Sequence, residues 1–346
     1  MTRRHGTARG RSAPRRSLLS SSTSTLTLLA LTAFVAASAP GCTNFKKRKL
    51  ETEYGPTESV VEVVAVLRRH IPDDTYRFPP ATDFTGRNVY RSSLLRLESL
   101  ERVHADAIRS GYMDPVIAFA KGRALERLRA FDLAAEHYRR AAEFEGDLRE
   151  PARQGASVCE RIAEATKIGL ELQNPLDPGG DDQLRTSEPE AVIADLEERI
   201  ALLGLLLPEV SGTHYSYVVK EEIERADEIR ASYFVEMRFA LPDGQVRALS
   251  ELQRVASRHQ PSKNRLRHIL KLATFYDTLA HEYVRAIPPE SLEFDPATFQ
   301  EIIDPASQLY QAVASQDGTP EKLEAQRRLE AFLAFTLQVD QDRFTQ

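Results

Sequence analysis

Histidines, carboxylates and thiols are the side chains with which this chain of 346 residues could perform acid–base, metal or nucleophilic chemistry. Seven histidines follow residue 41: His70, His104, His137, His214, His259, His268 and His281. None forms the H-x-x-x-H or H-E-x-x-H spacing that brings imidazoles onto one helix face for a metal. Glu101-Arg102-Val103-His104 is a single E-x-x-H. A di-iron bundle needs two such motifs and two more carboxylates, so a structural role is expected here. Asp277 and His281 stand one helical turn apart, with Glu282 beside the histidine. Such a pair can orient an imidazole for proton transfer or a metal, or be a local helix contact worth about 0.2–0.5 kcal/mol. Cys159 lies beside Ala156 and Ile162, with Arg161 directed to another side of its helix, which predicts a buried, inert thiol. There is no G-x-S-x-G, P-loop or G-x-G-x-x-G, and the acids around Gly179-Gly180 would repel phosphate. The expectation is a protein that is not an enzyme and needs no metal or other cofactor.

The charge balance narrows the partners. The formal net charge is −5, but residues 1–41 hold six arginines and no acids. The remainder carries 40 basic and 51 acidic residues, a net charge of −11. Such a chain is poorly suited to nucleic acid, which needs clustered cations against phosphates. Arg265 and Arg267 are interspersed with apolar positions and read as a solvated helix face. With Cys42 accounted for below, Cys159 has no partner for a disulfide.

The amino terminus has the layout of an export signal. Arg3, Arg4, Arg9, Arg11, Arg15 and Arg16 precede an apolar run from Thr25 to Ala37, too short to span a bilayer as a helix. The run ends in Ser38-Ala39-Pro40-Gly41-Cys42. This resembles the lipobox of bacterial lipoproteins, with Ala39 where that box usually carries Leu. The resemblance implies a diacylglycerol on Cys42, and Thr43-Asn44, lacking Asp after the cysteine, resembles outer-membrane lipoproteins. The alternatives are ordinary cleavage after Ala37-Ser38-Ala39, which Pro40 opposes, and an uncleaved anchor. Lys46-Lys47-Arg48-Lys49 would either hug an anionic membrane surface or solvate a linker.

The elements that must position any site are helical. Residues 1–41 read as signal and 42–56 as tether. Val60, Val64, Leu67 and Ile71 predict a helix over 57–71, although the valines also suit a strand. A Pro-rich loop follows, and a helix over 91–110. Helices are expected over 115–129, 132–145 and 149–172, completing an N-terminal helical region at 57–172. Turn residues predict a flexible loop at 173–187. The C-terminal region, 188–346, is expected to hold helices at 188–206, a break at Pro208 to Gly212, a long helix striped by Val219, Ile223, Ala226, Tyr233 and Met237, and helices at 245–259, 262–286, 298–315 and 320–340.

Gly122, Leu125, Ala134, Tyr138 and Ala141 combine small residues with an aromatic knob, the requirement for closely packed helix pairs. Ala248, Leu252, Val255 and Ala256 before Pro261, and Ala306, Tyr310, Val313 and Ala314 before Pro320, repeat the second half. These positions resemble the tetratricopeptide repeat family. The knobs at 138, 252 and 310 are 114 and 58 residues apart, where a regular array has ~34. The resemblance implies an all-α, irregular helical-hairpin array, an α-solenoid; the alternative is a helical bundle.

In that family the first helix of each pair lines a concave surface. Carried over from Gly122, the facing residues are Val116, Phe119, Arg123 and Glu126; from Ala156, they are Glu150, Arg153, Ser157 and Glu160. Phe119, Arg123, Glu126 and Arg153 are the expected partner-binding residues, with Phe119 alternatively packing inward. The implied function is a lipid-anchored periplasmic scaffold for a protein or peptide partner. An envelope enzyme or ligand-binding α-domain, and a purely structural lipoprotein, are the rivals.

Overall fold

A computed structural model describes residues 55–73, 76, 81–169 and 188–343. Cys42 and the turn-rich stretch at 174–187 lie outside these residues. Tyr54–Gln346 forms one compact unit. Apart from an isolated bridge between Thr82 and Asn88, the regular structure among the described residues is helical: α1 (Pro56–Asp73), α2 (Val89–Val103), α3 (Ala105–Ser110), α4 (Asp114–Arg127), α5 (Phe131–Ala142), α6 (Arg149–Thr166), α7 (Pro189–Glu209), α8 (Tyr215–Glu236), α9 (Gly244–Arg258), α10 (Arg265–Ala286), α11 (Pro296–Ala314) and α12 (Pro320–Asp342).

The valine-rich run is helix rather than strand, because Val60, Val63 and Leu67 share one face and are buried together. The expected helix over 91–110 is two helices, broken at His104. Helix α7 runs through Pro208 to Glu209. At a C-terminal turn a proline costs less than in a helix interior, since the chain leaves the helix there anyway. Two of the starts carry side-chain caps: the Asn88 carboxamide accepts from the Tyr90 and Arg91 N–H groups, and Asp295 does the same for Ala297 and Thr298.

Helices pack chiefly on their neighbours in chain order. From α4 onward a second set of contacts joins α4 to α6, α6 to α8, and α10 to α12. Alternate helices thus form one layer and the intervening ones the other. The core is a chain of clusters rather than one centre. One joins α1–α4, the next α4–α8, the third α7–α10, and the last α10–α12. That is a helical array, not a bundle around a single seam. Helices before and after residues 170–187 share the second cluster, where Tyr138 and Ile162 meet Leu203 and Val219.

Candidate functional site

The close approach implied by Gly122 and Tyr138 is present and is double-sided. Tyr138 on α5 is fully buried between α4 and α6. A Cβ on Gly122 would stand 2.7 Å from Tyr138 Cε1. On the other side, a Cβ on Gly155 would stand 3.0 Å from Tyr138 Cδ2 and 2.6 Å from Tyr215 Oη. The second glycine is one residue before Ala156, the position taken from the repeat spacing. Ala134, Ala141, Ala248, Ala306 and Tyr310 are also fully buried, and Leu252 nearly so.

The residues expected to face a partner around Gly122 are instead engaged with the protein itself. Phe119 is half-buried and packs edge-on against Tyr138, ring centres 5.3 Å apart. The Arg123 guanidinium lies 5.1 Å from the Phe119 ring centre and 5.2 Å from that of Tyr215. Glu126 is a correction: it is 1% exposed, so a partner cannot reach its carboxylate in this arrangement. It accepts from Tyr138 Oη at 2.8 Å and lies 3.0 Å from His214 Nε2. Burial pushes its pKa up, but the His214 hydrogen bond and the Arg123 charge outweigh that and hold it below its ordinary value. The cause of the mismatch is α8, whose start brings His214 and Tyr215 onto this face. Val116 packs half-buried against the first cluster. Glu150, Arg153, Ser157 and Glu160 on α6 are exposed, with Arg153 3.6 Å from Glu150.

The largest polar concentration lies on α8. This helix is packed on several sides and buries Glu222, Glu224 and Asp227. Buried carboxylates need partners, and each is answered from another helix or turn. Arg129 reaches Glu222 with two parallel bonds, Nε to Oε1 at 2.6 Å and Nη2 to Oε2 at 2.8 Å. Arg129 itself has φ +63°, a left-handed position after α4 that usually favours glycine. Asp227 meets Arg254 at 2.8 Å, Arg258 at 3.1 Å and His259 Nε2 at 2.8 Å. Burial raises its pKa; the His259 hydrogen bond and two arginine charges lower it further than burial lifts it. Tyr76 Oη stands 3.0 Å from His259 Nδ1, and the Tyr76 carbonyl accepts from the Lys263 N–H at 2.8 Å. The segment after α1 is thereby fastened to the turn between α9 and α10. Glu224 takes Ser262 and His268, and Glu221 takes Arg127 and Lys263.

Between α8 and α10 the layer opens. Their backbones hardly approach, and long charged side chains bridge the gap. Glu228 on α8 holds Arg267 at 2.8 Å and Lys271 at 2.5 Å from α10. Those two charges outweigh the effect of burial and keep the Glu228 pKa below its ordinary value. Three adjoining cavities of about 240, 260 and 360 Å³ line up here. The first two share Arg225, Glu228 and Arg267; the last two share Ser232, Arg267 and Lys271. Together they make a groove, charged at one end and more apolar at the other, where Val235, Leu252, Leu270 and Phe275 line it beside Glu236, Lys271 and Arg328. Sequence reasoning missed it. The signal was present as mixed charge at 220–230 matched by the cations at 254–271.

The remaining chemical candidates are absorbed by packing. Asp277 and His281 are 2.9 Å apart; the other Asp277 oxygen accepts from Tyr310 at 3.0 Å, and the imidazole stacks on Phe335. Glu101 pairs with Lys121 and Arg140, away from any shared site with the exposed His104. Cys159 is fully buried, and burial raises its thiol pKa well above the usual range. Among the described residues no group of three His, Cys, Asp or Glu could hold a metal ion, and no helix is long and apolar enough to cross a membrane. No protein-family model matches the chain, and no curated protein is significantly similar to it in sequence.

Proposed function

We propose that the chain is a lipid-anchored periplasmic scaffold, held to the outer membrane through Cys42, whose helical array captures a protein or peptide partner. The supporting observation is the groove between α8 and α10, where the array stays open and offers charge and apolar surface side by side. Repeat arrays bind through such extended surfaces rather than through a reacting group. The lipobox-like Ser38-Ala39-Pro40-Gly41-Cys42 supports the anchor, and the resemblance to tetratricopeptide repeats supports peptide docking. The partner-binding surface is assigned to α8 and α10 in place of Phe119, Arg123 and Glu126. Arg153 on α6 is exposed but borders none of the three cavities.

The test is photocrosslinking in the native envelope from a reactive residue at position 232, in the groove, against one at the exposed position 157 on α6. The expected result is a discrete adduct from 232 and none from 157. No adduct from 232 overturns the docking reading.

A further inference from the structure

The structure assigns the α8–α10 groove a ligand chemistry: we propose that Arg225 receives a carboxylate of an extended peptide whose apolar side chain, about three residues away, enters the neighbouring trough. This rests on the docking reading and gives it a ligand class.

The ion pairs around the groove leave Arg225 over. The carboxylates along this stretch of α8, Glu221, Glu222, Glu224 and Glu228, all have partners on neighbouring elements. Arg225 alone among the groove cations has no ion-pair or hydrogen-bond partner among the described residues, and it lines two of the cavities. Its Nε is buried without an acceptor. Neither Nη bonds another of the described residues, and the side chain lines the cavities. An arginine half-withdrawn from water and lacking an acceptor is an unsatisfied donor set, which an anion completes.

The neighbouring charges point the same way. Arg267 and Lys271 stay about half exposed above a Glu228 that is mostly covered, so around the middle cavity three cations face one carboxylate. This excess sits in a chain whose formal net charge is −5. A planar guanidinium suits a carboxylate, which it can meet with two parallel bonds. The trough beyond adds the apolar side chains of Val235, Leu252, Leu270 and Phe275 among its charged residues, which favours a ligand with an apolar group over one that is anionic throughout. Ser232, at the trough's edge, is two turns along α8 from Arg225, roughly 10 Å. A peptide in the polyproline II conformation, rising about 3.1 Å per residue with about three residues per turn, covers that in about three residues and brings its side chain back to the same face. The occupant is therefore an acid and an apolar side chain three apart.

The protein has no tryptophan, so a tryptophan-bearing peptide reports its own burial. The probes are capped peptides containing Glu-Ser-Ser-Trp and the reversed Trp-Ser-Ser-Glu, each beside its Gln counterpart, titrated into the full chain in neutral detergent. One Glu peptide is expected to show saturable, blue-shifted fluorescence, with its Gln counterpart at least about tenfold weaker. Arg225→Gln is expected to remove that difference without moving the melting temperature. Equal binding of the Glu and Gln peptides, no binding of either, or an undiminished preference in Arg225→Gln overturns the assignment. The Glu–Gln comparison is made on the unaltered protein, so it stands even if the variant folds poorly. The two claims fail separately. An adduct from position 232 with no Glu preference leaves docking standing without the carboxylate, whereas a Glu preference with no adduct leaves a carboxylate site without an envelope partner.

Discussion

The junction around Tyr138 and the gap between α8 and α10 belong to the same layered array and are built from opposite side chains. At the first, Gly122 and Gly155 present bare backbone to both sides of one ring, and the helices close on it until a single added methyl has no room. At the second, Glu228, Arg267 and Lys271 put long charged chains where small residues would sit, and the helices stand off with cavities between them. Residue size decides which seams seal. Charge decides what an unsealed seam can receive. Glu126 at the closed junction is buried and satisfied, whereas Arg225 Nε in the open seam is buried without an acceptor.

Variants should divide accordingly. Tyr138→Ala removes the buried ring between two glycines and should cost about 3–5 kcal/mol; a loss below 1 kcal/mol in a denaturant melt would mean the junction is not a closed seam. Gly155→Ala should cost about 1–3 kcal/mol through overpacking, seen as a lower melting temperature. An unchanged melt would show that α6 has room the described geometry denies. Loss of Arg123 leaves Glu126 with less compensation, so Phe119→Ala with Arg123→Ala should destabilise by at least about 1–3 kcal/mol. In the groove, Arg225→Gln should stay within about 0.5 kcal/mol of the parent, as surface changes without a protein partner do.

Acid separates the two regions by accessibility. Glu126 and Glu228 both have folded pKa values below the ordinary 4.5. Their contributions are therefore complete above about pH 4.5 and disappear as the pH falls through the lower folded values. Melts taken from pH 7 downward should hold level to that point and then decline. Glu126→Gln should start lower and decline less steeply. Added salt should weaken the partly exposed Glu228 pairs before it touches Glu126, and an acid decline equally salt-sensitive in the parent and in Glu126→Gln would erase the distinction.

Much of this array is legible in the sequence. Apolar spacing between turn-forming residues predicts nearly every helix because helix faces are local. Gly122 and Tyr138 could be paired since a bare backbone beside a ring has few other uses. Gly155 was placed one residue late, at Ala156, and one residue turns a helix face by about 100°. Phe119, Arg123 and Glu126 were assigned to an open face because what covers them, His214 and Tyr215, lies some ninety residues away in sequence. The groove escaped for the same reason. On a sequence, Glu224, Arg225 and Glu228 look like a solvated helix face, and only packing on several sides of α8 makes some of them buried partners and leaves Arg225 without one.

The central claim is that docking belongs to the open seam and stability to the closed one. The direct measurement is the yield of crosslinked partner, per folded molecule, in native envelopes carrying Arg225→Gln or Phe119→Ala with Arg123→Ala. The first is expected to lose the adduct at an unchanged melting temperature. The second should keep its yield per folded molecule while melting several degrees lower. Full capture by the groove variant, with capture lost in a stable Phe119 and Arg123 variant, would contradict it.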